Sequence, residues 1–265
     1  MDKKTVFIDL DGTIVYDVFT VYDSSRVALR KLKENGHDLF VCSGRNKPLV
    51  EALFGNFFDD GVYAAGGYVE YNGEAVIEEY FREEEKKILE DFAKRYDAVR
   101  SCMCRDRIYS EGWVNEFFNR KAGNIEASKD NDMSSYKGEK IYKCDIRFFL
   151  GMEEAFEEAK KDEALTHFSW STYPYNPEMG NTFEISRKGV SKGTAILKLA
   201  DLGIVDLSNT ICIGDSMNDY EMMKVCAFGV AMGNAEEALK KRADMVTDSI
   251  ENDGFRKAFE TLGMI

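Results

Sequence analysis

The sequence predicts an α/β fold, in which a parallel sheet with helices on both faces is interrupted by an inserted module. Strand and helix patterns alternate over the first eighty residues, and this alternation resumes after about residue 188. The stretch between them carries charged helical segments and both tryptophans, and it lacks the alternation. Two α/β segments therefore flank a middle of different character.

In the first segment, short apolar runs predict strands at residues 5–9, 38–42 and 61–64. A helical pattern covers residues 24–35 and is closed by Gly36, and a second helix begins near Pro48. Residues 68–77 read as a hairpin, because Asn72-Gly73 is a signal for a type I′ turn.

The last segment repeats the alternation of helices and strands. Helical patterns are predicted at residues 192–201, 219–225, 235–242 and 253–262, and strands at 210–214, 228–232 and 245–247. In the middle of the chain, helices are predicted at 82–95 and 153–162, strands at 141–149 and 166–171, and loops at 138–140 and 173–177.

The net charge of the chain limits the kinds of partner that it is expected to bind. A formal net charge of -13 and a pI near 4.8 argue against a nucleic-acid-binding surface, because such surfaces carry basic patches. A small anionic substrate would then need a local positive site made of a metal, a lysine and backbone N–H groups.

Cysteine usage and hydropathy indicate the compartment. The six cysteines are scattered, and Cys102-x-Cys104 has no second pair at the spacing of a zinc site, so we expect reduced thiols in a cytoplasmic protein. The N-terminus has no signal-peptide pattern, and no run of about 18 apolar residues predicts a membrane span.

The most informative motif is Asp9-Leu10-Asp11-Gly12-Thr13, which follows the first apolar run. Side chains at i and i+2 of a strand share a face, so Asp9 and Asp11 can point into one small volume. Two carboxylates held that close repel each other, and a divalent metal between them is the natural reason for the arrangement. The alternative is an ordinary strand-end turn, since Asp and Gly are good turn formers.

Three further motifs follow strands or begin a helix. Ser43-Gly44-Arg45 places a hydroxyl and an N–H where they can bind a phosphate oxygen, although such a pair is also a common turn. Lys192 starts a helix against the macrodipole, which suggests an anion beside it, with a solvated surface lysine as the alternative. Residues 214–219 lie at the end of an apolar run that is typical of a buried strand. Asp215 is a candidate metal ligand there, and Asn218 or Asp219 would orient the neighbouring residues.

These four motifs, in this order, resemble the signature motifs of the haloacid dehalogenase-like (HAD) hydrolases. Only 33 residues separate Asp9 from Ser43, whereas 148 separate Ser43 from Lys192, so an inserted domain must lie in the second interval. This arrangement is similar to the type 2 cap of the Cof-like branch, subfamily IIB, whose members are mostly phosphatases. The resemblance implies a Rossmann-like core at residues 1–82 and 184–265, and an α+β cap that sets substrate specificity at 83–183.

The resemblance also implies roles for the motif residues. Asp9 would be the nucleophile, Asp11 the general acid and base, and Lys192 a catalytic lysine that also binds phosphate. Mg²⁺ would be held by Asp9, the backbone carbonyl of Asp11 and Asp215, with Asp219 orienting its neighbours. The phosphoryl oxygens would be bound by Leu10, Ser43, Gly44, Lys192 and Asn218.

The implied activity is hydrolysis of a small phosphorylated metabolite, such as a sugar phosphate or a phosphorylated cofactor. Two alternatives stay open: a phosphotransferase or phosphomutase that uses the same aspartate, and a non-catalytic ligand-binding protein on this fold. One departure from many relatives, Ala65-Gly66-Gly67 where they have Asn-Gly-Ala, argues against borrowing any relative's substrate. Candidate specificity residues are Arg147, Trp170, Tyr173, Tyr175 and Asn181, with Glu184 and Arg45 as further candidates near the cleft.

Overall fold

The computed structural model describes residues 2–17, 19–112, 131–173 and 180–265. The chain divides into two compact units. The first comprises Met1–Arg45, Leu53–Ile77 and Ser191–Ile265, and the second comprises Asn46–Ala52 and Glu78–Val190.

Strands and helices are numbered in chain order over the described residues. The strands are β1 (Thr5–Ile8), β2 (Asp38–Cys42), β3 (Asp60–Tyr63), β4 (Tyr68–Tyr71), β5 (Glu74–Glu78), β6 (Val99–Cys104), β7 (Ile108–Ser110), β8 (Asn131–Asp132), β9 (Ile141–Phe148), β10 (Phe168–Thr172), β11 (Asn181–Arg187), β12 (Thr210–Gly214), β13 (Phe228–Ala231) and β14 (Met245–Val246). The helices are α1 (Asp23–Glu34), α2 (Lys47–Phe54), α3 (Glu83–Arg95), α4 (Glu153–Ala159), α5 (Lys192–Asp201), α6 (Tyr220–Val225), α7 (Glu237–Arg242) and α8 (Gly254–Thr261).

The first unit is built on an eight-stranded sheet in the order β14-β13-β12-β1-β2-β3-β4-β5. Its strands from β14 to β3 are parallel, and β4 runs antiparallel to β3. The predicted α/β class, with helices on both faces of the sheet, is confirmed. Strands β1 and β12 are apolar on both faces because helices cover both sides of a parallel sheet.

The register of the central strands aligns their carboxyl ends. Ile8 at the end of β1 pairs with Val41 of β2 on one side and with Ile213 of β12 on the other. The loops that follow these three strands therefore leave the sheet at the same edge, where ligands bind in open α/β sheets.

Most predicted elements of the first unit are present, with shifts at their ends. Ala64 and Ala65 have positive φ angles, so β3 ends at Tyr63 rather than at residue 64. Asp253 is also left-handed, and α8 begins one residue later, at Gly254. In the predicted hairpin turn, Asn72 and Gly73 both have positive φ, as a type I′ turn requires.

The second unit is built on a six-stranded sheet in the order β10-β11-β9-β6-β7-β8. Its pairs are antiparallel except for β7 and β8. Helices α3 and α4 contribute Leu89, Phe92 and Phe156 to a core shared with Phe148 and Phe183 of the sheet. This unit has an α+β architecture.

The prediction for the middle of the chain was wrong at one strand and incomplete elsewhere. Thr166 and His167 belong to a 3₁₀ turn, Glu163–His167, so the strand begins only at Phe168. Strands β6, β7, β8 and β11 were not predicted. Tyr175 and most of the predicted loop at 173–177 lie outside the described residues.

The boundaries between the two units fall after Arg45, Ala52, Ile77 and Val190. Residue 184, the predicted start of the returning core segment, lies inside β11, which pairs with β9 and β10 in the sheet of the second unit. Among the helices described, none combines the length and hydrophobicity that a membrane crossing requires.

Candidate active site

Three of the predicted motifs meet at the carboxyl edge of the first sheet. Asp9 follows β1, Ser43 follows β2 and Asp215 follows β12. One carboxylate oxygen from each of Asp9, Asp215 and Asp219 lies within 4.8 Å of the others. The structure therefore brings together residues that are more than 200 positions apart in the sequence.

Lys192 joins two of these carboxylates. Its Nζ donates to Oδ1 of Asp9 and to Oδ1 of Asp219, at 2.6 Å in each case. The side chain is fully buried at the start of α5, where Ser191 caps the helix. Burial lowers the pKa of this ammonium group, but the charges of Asp219 and Asp9 outweigh that effect and hold it well above its ordinary value. The anions beside Lys192 also offset its unfavourable position at the helix N-terminus.

Thr13 holds the second oxygen of Asp9. Its hydroxyl donates to Asp9 Oδ2 at 3.0 Å, and both residues are buried. Asp9 is thereby fixed from two sides, by an ammonium group and by a hydroxyl. Sequence reasoning did not assign Thr13 a role, although its place four residues after Asp9 in a tight turn was a usable signal.

Asp219 supports the loop after β12. Its Oδ2 accepts hydrogen bonds from the backbone N–H groups of Asp215 and Ser216, at 3.0 and 3.1 Å, while its Oδ1 accepts from Lys192. A Cβ on Gly214 would lie 2.4 Å from this carboxylate, so only glycine fits at the end of the strand. Among the described residues, Asp219 accepts three hydrogen bonds, two of them from the backbone of its own loop, whereas each oxygen of Asp9 accepts only one, so Asp219 is better suited than Asp9 to orienting its neighbours.

Asp215 has an oxygen that the protein leaves unsatisfied. Its Oδ1 is buried and has no hydrogen-bond partner among the described residues. Burial, together with the charges of Asp9 and Asp219, raises the pKa of Asp215 to about 9, and burial and Asp219 raise the pKa of Asp9 to about 7. A buried orphan oxygen beside crowded carboxylates fits a divalent cation, which would satisfy the oxygen and neutralise the repulsion.

Asp11 forms an ion pair with Arg45. The guanidinium donates from Nε to Oδ2 at 2.9 Å and from Nη2 to Oδ1 at 2.5 Å, which is the bidentate geometry that arginine favours. Arg45 is buried, whereas the Asp11 side chain is about half exposed. The pair links the loop after β1 to the loop after β2, and it places a cation beside the second predicted acidic residue.

The remaining predicted phosphate-binding residues also lie in these loops. Ser43 is buried, and its Oγ accepts a hydrogen bond from the Arg45 N–H at 3.1 Å, which leaves the hydroxyl proton available as a donor. The Leu10 carbonyl accepts from three backbone N–H groups in the turn that carries Gly12. Asn218 accepts from the Ser216 hydroxyl at 2.9 Å.

Except for Arg45, the specificity candidates that the structure describes lie in the second unit, and several of them have structural partners there. Tyr173 donates to Glu184 and accepts from the buried Lys143, while Arg147 donates to the Ser101 hydroxyl at 3.0 Å. Trp170 packs its ring on Phe183. These contacts tie the sheet of the second unit together, and Glu184 belongs to this network.

The comparisons with known proteins agree with the geometry. The haloacid dehalogenase-like hydrolase family matches residues 6–259. A relative from Bacillus subtilis, 5-amino-6-(5-phospho-D-ribitylamino)uracil phosphatase YcsE, is 28% identical over 264 residues, covering 97% of this chain and 95% of the relative. Phosphoglycolate phosphatase from Methanobrevibacter smithii is 24% identical over 260 residues, covering 98% of each chain.

The fold has a close counterpart among solved structures. The HAD subclass IIB sugar phosphatase BT4131 superposes with a TM-score of 0.80 at 24% identity, covering 99% of this chain and 100% of that chain. The family match spans nearly the whole sequence, and the relatives are matched over nearly their full length. The chain therefore belongs to the haloacid dehalogenase-like hydrolases, as a Cof-like phosphatase of that superfamily.

Proposed function

We propose that this chain is a Mg²⁺-dependent phosphatase that hydrolyses small phosphomonoesters through a phosphoaspartyl intermediate on Asp9. The observation that carries the proposal is the setting of Asp9, which Lys192 and Thr13 hold beside Asp215, whose Oδ1 has no partner among the described residues. The phosphatase names of the relatives support the same reaction class.

In the first half-reaction, an oxygen of Asp9 attacks phosphorus and the bond between phosphorus and the ester oxygen breaks. The leaving alkoxide needs a proton, and Asp11 supplies it from the loop that it shares with Asp9. Arg45 donates to both Asp11 oxygens in this structure, so the pair must open before Asp11 can carry the proton that it gives to the leaving group. The products are the free alcohol and a phosphoryl group bound covalently to Asp9.

In the second half-reaction, water attacks phosphorus and the bond to Asp9 breaks. Asp11, now ionised, takes the proton of the attacking water. Inorganic phosphate leaves and the Asp9 carboxylate is restored. One carboxyl group thus serves as acid and then as base, and no external co-reactant besides water is needed.

The phosphoryl oxygens would be bound by donors from several loops. These donors are the Lys192 ammonium group, the Ser43 hydroxyl, the N–H groups of Gly44 and Leu10, and the Asn218 amide. Because charge spreads over these oxygens in the transition state, loss of one donor is expected to cost about 3 to 4 kcal/mol of barrier.

The metal ligands would be Asp9, the Asp11 backbone carbonyl and Asp215. When bound, Mg²⁺ supplies positive charge that stabilises the phosphoryl oxygens and reduces their repulsion from Asp9. The donor set is made only of oxygens, which suits Mg²⁺ better than a soft metal. Asp219 would stay outside this set, because its oxygens accept from Lys192 and from two backbone N–H groups.

The substrate would be a small phosphorylated metabolite, such as a sugar phosphate or a phosphorylated cofactor. We propose that residues 83–183 form the cap that reads the leaving group and sets specificity. The relatives illustrate the range: one is named for a phosphorylated ribitylaminouracil and another for phosphoglycolate.

The test is phosphate release from a panel of phosphomonoesters, with and without Mg²⁺. We expect metal-dependent release by the wild-type chain and none by Asp9→Asn. Asp59→Asn is the matched control, because Asp59 pairs with Lys33 on the surface of the same unit and has no part in the site. No release from any ester, or equal release by Asp9→Asn, would contradict the proposal. Transfer of phosphate from a sugar bisphosphate to a sugar hydroxyl would favour the phosphotransferase alternative.

A further inference from the structure

Asn234 lies in the loop after β13 and connects three other segments of the first unit. Its Oδ1 accepts a hydrogen bond from the backbone N–H of Ile250 at 2.9 Å. Its Nδ2 donates to the backbone carbonyl of Gly12 at 2.8 Å and approaches Oδ2 of Asp215 at 3.4 Å. The Ile250 N–H fixes the orientation of the amide, because only an oxygen can accept at that position. The NH₂ group therefore points toward Gly12 and Asp215.

This arrangement treats the two oxygens of Asp215 differently. Oδ2 faces the Asn234 amide and the Gly12 backbone, where an added Cβ would lie only 2.0 Å away from it. Oδ1 is buried and has no hydrogen-bond partner among the described residues. The surroundings of Asp215 therefore block Oδ2 and leave Oδ1 available to a ligand.

We propose that Asn234 is a positioning residue for the metal site, which holds Asp215 so that it binds Mg²⁺ through Oδ1 alone. This inference rests on the proposed function, since it concerns the same metal. Binding through a single carboxylate oxygen suits the small octahedral Mg²⁺, whereas Ca²⁺ readily accepts both oxygens of a carboxylate. Asn234 therefore contributes both to Mg²⁺ affinity and to discrimination against Ca²⁺.

The test is titration calorimetry of the full chain with MgCl₂ and with CaCl₂, without substrate. For Asn234→Ala we expect the Mg²⁺ dissociation constant to rise about 10- to 100-fold, the range found when residues that orient metal ligands are removed. We expect the Ca²⁺ dissociation constant to change less. The ratio of the Ca²⁺ to the Mg²⁺ dissociation constant, which measures the preference for Mg²⁺, should therefore become smaller. Asn234→Leu keeps the shape of the side chain without its polar atoms, and it provides the same test if the alanine variant folds poorly.

Asn209→Ala is the matched control. Asn209 also ties loops together, since it donates to the Lys3 carbonyl and accepts from Lys4, but it does so at the opposite ends of β1 and β12. The Mg²⁺ dissociation constant of the Asn209→Ala variant should stay at the wild-type value. Unchanged Mg²⁺ binding by a folded Asn234 variant would overturn this inference alone. Absence of Mg²⁺ binding by the wild-type chain would overturn the proposed metal, and this inference with it.

Discussion

Three buried or half-buried carboxylates, those of Asp9, Asp215 and Asp219, lie together at the edge of the first sheet, and the Lys192 ammonium group pairs with two of them, Asp9 and Asp219. Burial and mutual repulsion raise the pKa of Asp9 to about 7 and that of Asp215 to about 9. In the unfolded chain an aspartate titrates near about 3.9. At these two carboxyl groups the folded, metal-free chain therefore binds more protons than the unfolded chain between about pH 4 and pH 9, and their contribution to stability falls as the pH rises through this window.

The proposed Mg²⁺ should reverse this loss, because it would bind the ionised carboxylates. At a Mg²⁺ concentration of 100 times the dissociation constant, the gain is about 2.7 kcal/mol, or about 5 to 10 °C in Tm for a chain of this size. We expect that gain at pH 8 and a much smaller one at pH 5, where protons compete for Asp9 and Asp215. Thermal melts at both pH values measure it.

Asp215→Asn provides the control for this prediction. The variant should melt close to the metal-free wild type at pH 8, because a pKa of about 9 leaves the Asp215 carboxyl group mostly protonated there, and Mg²⁺ should shift its Tm little. A Mg²⁺ shift of the same size at pH 5 and pH 8 in the wild type would contradict the account.

At the scale of elements, the loops after β1, β12 and β13 are packed against one another around Gly12. Gly12 has a φ of +82°, and a Cβ there would lie 2.0 Å from Asp215 Oδ2. Gly36 closes α1 with nearly the same φ, +86°, but a Cβ there would have no heavy atom within 4 Å. The two glycines therefore share a backbone conformation and differ in their surroundings.

Substituting each glycine with alanine separates the two effects. Gly36→Ala should lose about 1 to 2 kcal/mol of unfolding free energy from the left-handed backbone alone. Gly12→Ala should lose more, and it should also lose Mg²⁺ binding because Asp215 must move. Urea unfolding and metal titration of both variants provide the comparison, and equal losses in both would show that the contact with Asp215 has no consequence.

The strands and loops also differ in how far they could be predicted from the sequence. The strands of the first unit were predicted because β1 and β12 are short apolar runs that end in polar motifs. Strand β6 was missed because Val99–Cys104 mixes polar, charged and apolar residues, and β8 is only two residues long. Asn234 escaped notice because its partners Gly12 and Asp215 come from distant loops, which no local pattern encodes, whereas Thr13 contacts Asp9 only four residues away and its position was a local signal.

At the scale of the whole molecule, the six cysteines are divided equally between the two units. All six are buried free thiols. Cys42, Cys212 and Cys226 lie in the first unit, and Cys102, Cys104 and Cys144 lie in the second. Each unit has its own core, so a thiol becomes accessible mainly when its unit opens.

We expect an aromatic disulfide reagent to leave the native chain almost unlabelled and to modify six thiols in strong denaturant. At intermediate denaturant concentration, labels should appear in sets of three, because the cysteines of one unit are exposed together. Mass spectrometry of the quenched chain counts the labels and assigns them to peptides. Early modification of one isolated cysteine in otherwise native protein would contradict this expectation.

The pairing of β1 with β12 has a consequence for how the protein is made. Thr5 pairs with Thr210, so the centre of the sheet joins segments separated by about 200 residues, and closing such a loop is entropically costly. During synthesis on the ribosome, β1 can pair with β2 early, but its other edge must wait until most of the chain has emerged. Asp9 is translated 183 residues before Lys192, so it can meet Lys192 and Asp219 only after those residues have emerged. A chain interrupted before residue 192 would carry Asp9 and Thr13 without Lys192 and Asp219, which complete the site.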